Sequence, residues 1–191
     1  YGANMYLKRE DLSPVRSYKI RGAFNAMSKA IKSGETKKFV CASAGNHAQG
    51  FAYACQHFGV KGRIYMPVTT PQQKITKTAS FGGNTIEIIM QGDYFDETLK
   101  AALEYSENTG AAMLPPFDHL DVIEGQASVG VEILNQLESP PDMIITPVGG
   151  GGLSSGLVKY FNSYKIQFKF CEPMGGRSLF QSLKHKKLIT L

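Results

Sequence analysis

Cysteine is scarce, with only Cys41, Cys55 and Cys171 in 191 residues. Three scattered thiols make neither a disulfide framework nor a thiolate metal site. Cys41 and Cys171 fall in apolar runs that read as strands and Cys55 on the apolar face of a helix, so all three are expected to be plain buried thiols. Long apolar runs are missing too. No stretch approaches the ~18 residues of a bilayer span, and the chain does not open on a basic segment followed by an apolar run. The expectation is a soluble, cytoplasmic protein with no membrane partner. Charge is dispersed: 21 Lys and Arg face 16 Asp and Glu, and only Lys184-His185-Lys186-Lys187 forms a basic cluster. That is a poor footprint for nucleic acid, and a net charge of +5 suits an anionic small ligand equally well. With 42% hydrophobic residues the composition is ordinary and the chain long enough for a sizeable core, which excludes disorder and fibrous folds. Repeats and low-complexity segments are absent.

Glycine, by contrast, is plentiful, at 20 residues against a usual share of about 7%. The glycines gather at the ends of elements. Apolar runs at Met5–Leu7, Lys38–Ala42, Gly62–Met66, Thr85–Met90, Ala111–Leu114, Met143–Val148 and Ile166–Cys171 read as strands. Amphipathic stretches at Lys19–Ile31, His47–Phe58, Gln72–Phe81, Phe95–Glu107, Val122–Leu137 and Leu153–Tyr164 read as helices, several closed by Gly59, Gly82 or Gly110. Strands separated by single helices need crossovers, so an α/β fold with mostly parallel, two-side-covered sheets is expected, its ligands at the carboxyl ends of strands. Both ends of the chain read as cut, which makes it part of a longer polypeptide.

Three segments carry chemistry. Ser17-Tyr18-Lys19-Ile20-Arg21-Gly22 opens a helix, and a helix start with Arg16 and Arg21 nearby lowers the pKa of Lys19, which suits a nucleophilic amine. The bland reading is a solvated lysine. Ser43-Ala44-Gly45-Asn46-His47 lies between a strand and a helix and reads either as an anion site at a helix start or as ordinary capping by Ser43 or Asn46 with His47 exposed. Gly149-Gly150-Gly151-Gly152, followed by Leu153, follows a strand. Each glycine costs about 0.5–1 kcal/mol relative to alanine in regular structure, so four in a row point to a ligand pressed on the backbone, a phosphate in a nest of N–H groups. A flexible turn is the alternative. The spacing also approximates a dinucleotide turn, with Glu172 about 20 residues on, but that variant is weak and leaves the first two segments unused. A P-loop is excluded, since no Gly-Lys-Ser/Thr follows.

A lysine, an anion loop and a phosphate nest together suggest pyridoxal phosphate. On S-Y-K-I-R-G, S-A-G-N-H-A-Q-G and G-G-G-G-L in this order, with Met66-Pro67-Val68-Thr69-Thr70-Pro71 and Pro115-Pro116-Phe117-Asp118 in support, the sequence from Tyr6 to Leu191 resembles the threonine/serine dehydratases of the fold-type II pyridoxal-phosphate enzymes. The resemblance implies a tryptophan synthase β-like fold of two parallel-sheet α/β domains: a small one at 38–115, inserted in an incomplete large cofactor-binding domain of 1–37 plus 116–191. It implies that Lys19 holds the cofactor covalently and removes the substrate's α-hydrogen, with Tyr18 beside the ring and Asn46 on the ring hydroxyl. Gly149, Gly150, Gly151, Gly152 and the Leu153 amide hold the phosphate, itself the implied proton donor to the leaving hydroxyl. Ser43, Ala44 and His47 border the substrate carboxylate. The implied reaction is elimination of L-threonine, and more slowly L-serine, to 2-oxobutyrate or pyruvate and ammonia, in isoleucine biosynthesis, by a homo-oligomer. Serine racemases carry a second serine where this chain has Ala44, so racemisation should be poor. Some relatives bind a divalent cation through the acid matching Glu172 and an aspartate whose place here is Ser178, so no metal is expected. Glu124 and Ala127 stand where the family has alanine and glycine. A related fold-type II serine racemase/dehydratase, a cysteine synthase, a non-catalytic truncated module and an NAD-dependent oxidoreductase rank below the lyase.

Overall fold

The computed structural model describes residues 2–34 and 36–189. After helix α1 (Lys19–Lys32) the chain lays down β1 (Lys38–Ala42), α2 (Asn46–Phe58), β2 (Lys61–Met66), α3 (Gln72–Gly82), β3 (Ile86–Met90), α4 (Phe95–Thr109) and β4 (Ala112–Met113). There follow α5 (Leu120–Gln136), β5 (Met143–Pro147), α6 (Gly152–Tyr160), β6 (Gln167–Cys171) and α7 (Ser178–His185). The first four strands form one parallel sheet in the order β3-β2-β1-β4, and β5 and β6 pair in parallel in a second. No helix among the described residues is long and apolar enough to cross a membrane.

The period-2 pattern of β1 shows why its run of apolar residues has to be a central strand. Phe39 and Cys41 enter a core with Ala23, Met27, Phe51 and Ile64, while Val40 and Ala42 enter a second core with Ala101 and Ala102 of α4. A strand apolar on both faces is stable only with helices on both. A third core, of Val129, Ile144, Leu157 and Phe161, joins α5 and α6 to β5.

Strand order decides where a ligand can enter. From β1 the chain moves outward through β2 to β3, then returns to place β4 on the other side of β1. β1 and β4 are thus neighbours that lead to different helices, α2 and α5, a switch in strand order at whose carboxyl ends open parallel sheets offer a ligand crevice. Glycine brings the helices around it close: a Cβ on Gly22 would lie 2.7 Å from Val122 Cγ1, one on Gly125 2.6 Å from the Arg21 carbonyl, and one on Gly156 2.6 Å from the Ile123 carbonyl. The α1, α5 and α6 crossings thus admit no side chain at these points.

Several expectations need correction. Met5–Leu7 is not a strand: all three residues are exposed and pair with nothing among the described residues, and an extended segment without a partner has no ladder for its N–H and C=O groups. Cys171 is exposed rather than buried, because it ends a two-stranded sheet opposite the equally exposed Pro147. Helix α6 stops at Tyr160, four residues early, where Phe161 N–H closes on Leu157 O and a turn follows from Phe161 to Tyr164. At the end of α3 the left-handed residue is Gly83, with φ 52°, rather than Gly82. The helix-like stretch before Leu191 is α7, whose start is held by Glu172.

Candidate active site

Lys19 is delivered by a tight turn. Ser13 Oγ accepts the Ser17 N–H at 2.9 Å and Ser17 Oγ accepts the Lys19 N–H at 3.2 Å, while Arg16 between them is left-handed at φ 57°. That conformation costs a non-glycine residue about 1–2 kcal/mol, so the turn is strained in order to start α1 at Lys19. The amine donates to the carbonyl of Pro116 and lies 5.6 Å from the Tyr18 ring centre and 5.7 Å from that of Phe117. Burial lowers the Lys19 pKa, so the sequence-based direction holds but its cause does not. Arg21 cannot act on the amine as a free cation: its guanidinium is held by Glu10 and Glu132, with Nε to Glu10 Oε2 and Nη1 to Glu132 Oε1 both at 2.7 Å.

His47 also departs from expectation. It is buried, and its Nε2 donates to the carbonyl of Leu114 at 2.9 Å, so its imidazole is turned inward and what it offers the helix start is a backbone N–H. Desolvation, opposed by the Leu114 bond and aided by the Lys19 charge, pushes its pKa down to about 4 from 6.5. The unfolded chain therefore takes up this proton first as pH falls, and stability present above pH 6.5 is lost on the way to pH 4, on the order of 3 kcal/mol for a shift of this size. Urea unfolding across that window is expected to show the slope in the native chain and to lose most of it in His47→Gln; an unchanged slope assigns the effect elsewhere.

At the start of α2 capping is not what Ser43 and Asn46 do. Ser43 Oγ accepts the Gly45 N–H at 3.2 Å and no side chain caps the helix, so the amides of Asn46, His47 and Ala48 face outward from a helix start. Asn46 is exposed, and Ala44 packs against the first core. The start of α6 is similar: Gly151 is its left-handed N-cap at φ 84°, with no side-chain cap, and the Gly151 carbonyl takes the Ser154 hydroxyl and the Ser155 N–H. The first amides of α6, at Gly152 and Leu153, are thereby left for a ligand.

One short segment touches all three motifs. Leu114 O receives His47, Pro116 O receives Lys19, and the Phe117 ring fills the space a Cβ on Gly150 would need, 2.3 Å from its Cγ. The Phe117 backbone likewise stands 3.1 Å from a Cβ on Gly152. Leu114, Pro116 and Phe117 are site residues that motif reading did not assign. Their signal was the Pro115-Pro116-Phe117-Asp118 string, whose two prolines have no N–H and so leave a segment that mainly accepts hydrogen bonds.

Glu172, the acid of the dinucleotide reading, is already engaged. Its carboxylate accepts the N–H groups of Leu179 and Phe180 at 2.8 and 2.9 Å and the Ser178 hydroxyl at 3.3 Å. Against a desolvation that raises it, these bonds hold its pKa below the usual value, and they fix the start of α7. Glu124, one of the two family departures, pairs with Lys29 of α1 at 2.7 Å; nothing in the structure explains Ala127. Among the described residues no group of three or more His, Cys, Asp or Glu could hold a metal.

A half-buried amine of lowered pKa and a helix-start turn whose glycines carry no side chains of their own fit an aldehyde and a phosphate respectively, the two ends of pyridoxal phosphate. They define an α/β protein of the pyridoxal-phosphate type. The chain belongs to the pyridoxal-phosphate dependent enzyme family, whose description matches residues 1–191. It is 45% identical over 192 residues to the L-threonine dehydratase biosynthetic IlvA of Mycobacterium bovis, covering 100% of this chain and 45% of that protein. Among solved structures it is similar to the processed form of threonine deaminase isoform 2 from Solanum lycopersicum, with TM-score 0.92, 41% identity and coverage of 100% of this chain and 55% of that one. It is also similar to a maize serine racemase, with TM-score 0.88, 31% identity and coverage of 96% and 55%. The chain spans about half the length of the relatives it matches.

Proposed function

We propose that this chain carries the lysine, the phosphate nest and the carboxylate loop of a threonine ammonia-lyase, which converts L-threonine to 2-oxobutyrate and ammonia and L-serine more slowly to pyruvate. The observation that carries the reading is the single segment, Leu114 to Phe117, that joins the Lys19 amine to His47 and to the glycine turn. The names of the dehydratase and deaminase relatives support it. In this reading Lys19 holds the cofactor, Tyr18 flanks its ring, Asn46 meets the ring hydroxyl, and the amides of Gly149 to Leu153 take the phosphate. Ser43, the backbone of Ala44 and the N–H of His47 bind the substrate carboxylate.

When bound, pyridoxal phosphate supplies the electron sink that makes the substrate's α-hydrogen acidic. Lys19 Nζ, its pKa lowered by burial, would be freed when the substrate's amine displaces it and would then take that hydrogen as a proton on its own face. The β-hydroxyl would leave as water with a proton donated from the phosphate side of the site, the proton held by Lys19 making good that loss, and hydrolysis of the resulting imine consumes one water and frees ammonia. Closure of a 38–115 domain over the rest would exclude bulk water during these steps. A cytoplasmic homo-oligomer acting in isoleucine biosynthesis completes the proposal.

Reaction choice separates this reading from a racemase. Ala44 is packed on the core and has no group to work the far face of the substrate. A chain extended to the length of its relatives is expected to turn L-threonine into 2-oxobutyrate without accumulating D-amino acid, and to use L-serine roughly 10- to 200-fold less well, the usual worth of one methyl in a pocket. Ala44→Ser is expected to add slow racemisation. Chiral chromatography decides: D-isomer appearing as fast as keto acid shows another base on the far face and refutes the lyase assignment.

A further inference from the structure

The sequence motif Pro115-Pro116-Phe117-Asp118 has no role in the steps above, yet its segment is fastened to every part of the site. Pro115 and Pro116 have no N–H to give to a neighbouring strand, so β4 ends and the chain turns away with carbonyls free. Two of them are taken, Leu114 O by the buried His47 and Pro116 O by Lys19. This fastening leaves the Phe117 side chain no choice of direction. Its ring presses on the glycine turn so closely that a Cβ on Gly150 would lie 2.3 Å from its Cγ and Cδ1, and its centre is 5.7 Å from the Lys19 amine. An aromatic ring therefore lies against the glycine turn and close to the amine, 37% exposed.

From this placement we infer that Phe117 is a positioning residue for the cofactor: its ring sets the shape of the Gly149–Gly152 turn and forms the apolar wall that aligns the cofactor between that turn and Lys19. The inference rests on the proposed cofactor site. Gly150 and Gly152 are glycine for the same reason, since any side chain there would displace the ring or the backbone behind it. The ring also shields the amine from water, adding to the burial that lowers the Lys19 pKa.

Phe117→Ala and Phe117→Leu test it in the full chain, by titration with pyridoxal phosphate followed through visible absorbance, and by the circular dichroism induced in the bound cofactor at saturation. The alanine variant is expected to bind at least tenfold more weakly and to lose most of the induced signal, because the cofactor no longer sits in one orientation. Leucine keeps apolar bulk but not the flat face, so it is expected to bind about threefold more weakly with a reduced signal; it carries the test alone if the alanine variant does not fold. A purely structural ring would lower the unfolding midpoint while leaving the induced signal at saturation unchanged. Native affinity and native induced signal in the leucine variant, or in a folded alanine variant, overturn the inference and leave the cofactor site standing. Failure of the unmodified chain to bind pyridoxal phosphate overturns the site and the inference together.

Discussion

Lys19→Ala is expected to abolish both elimination and the visible absorbance of lysine-bound cofactor, and to leave the chain folded. A positioned base is worth about 10²–10⁴ in rate, and here the same nitrogen also makes the covalent link, so the two losses combine. The fold should survive for a structural reason. The side chain's polar contact is one hydrogen bond to the Pro116 carbonyl, on a segment that His47 holds independently at Leu114. Removing one such bond costs about 1 kcal/mol, and the turn that delivers Lys19 depends on the Ser13 and Ser17 hydroxyls and on backbone N–H groups. Lys19→Arg sharpens the test, since it keeps the charge and a donor for Pro116 but cannot give up its proton near neutral pH. It is expected to fold like the native chain and to remain inactive. Turnover retained by either variant would remove Lys19 from the chemistry.

The elements of the fold were legible because each announces itself locally. β1 has apolar residues on both faces, α2 ends at Gly59 and α4 at Gly110 in the left-handed conformation, and the glycine run at 149–152 has no use in regular structure. That Lys19 and the Ser43–His47 and Gly149–Gly152 loops stand at helix starts was legible for the same reason, from the change of period that opens α1, α2 and α6. What spacing could not show is the strand order. The crevice exists because β4 returns to the far side of β1, and only that return brings Leu114 to His47 and Pro116 to Lys19. The inward turn of His47 was hidden likewise, since a histidine after Asn46 reads the same whether its ring meets solvent or a carbonyl from 67 residues away. Arg21 misled for a related reason. Its closeness to Lys19 along the chain was visible, but the carboxylates of Glu10 and Glu132 that engage it come from other elements.

Gly150→Asp is expected to weaken pyridoxal phosphate binding on the order of a hundredfold or more, about 3 kcal/mol. Two effects combine, and a series separates them. Any Cβ at this position overlaps the Phe117 ring, 2.3 Å away at Cγ and Cδ1, so Gly150→Ala already forces ring and turn apart. That change alone is expected to lower affinity about tenfold, or about 1.4 kcal/mol. Gly150→Asn adds bulk without charge. Gly150→Asp adds a carboxylate beside the first amides of α6, whose helix start and N–H groups draw anions. The carboxylate then competes for the donors the phosphate needs and repels the phosphate as well. The expected order of affinity is therefore native, alanine, asparagine, aspartate, with a clear step between the last two. Because every Cβ at this position meets the Phe117 ring, all three variants are expected to lose some stability, and the asparagine and aspartate variants, which share that overlap, are the pair that separates loss of binding from loss of fold. Equal affinities for the asparagine and aspartate variants would show that no phosphate lies near the turn, and native affinity in all three would move the nest elsewhere in the chain.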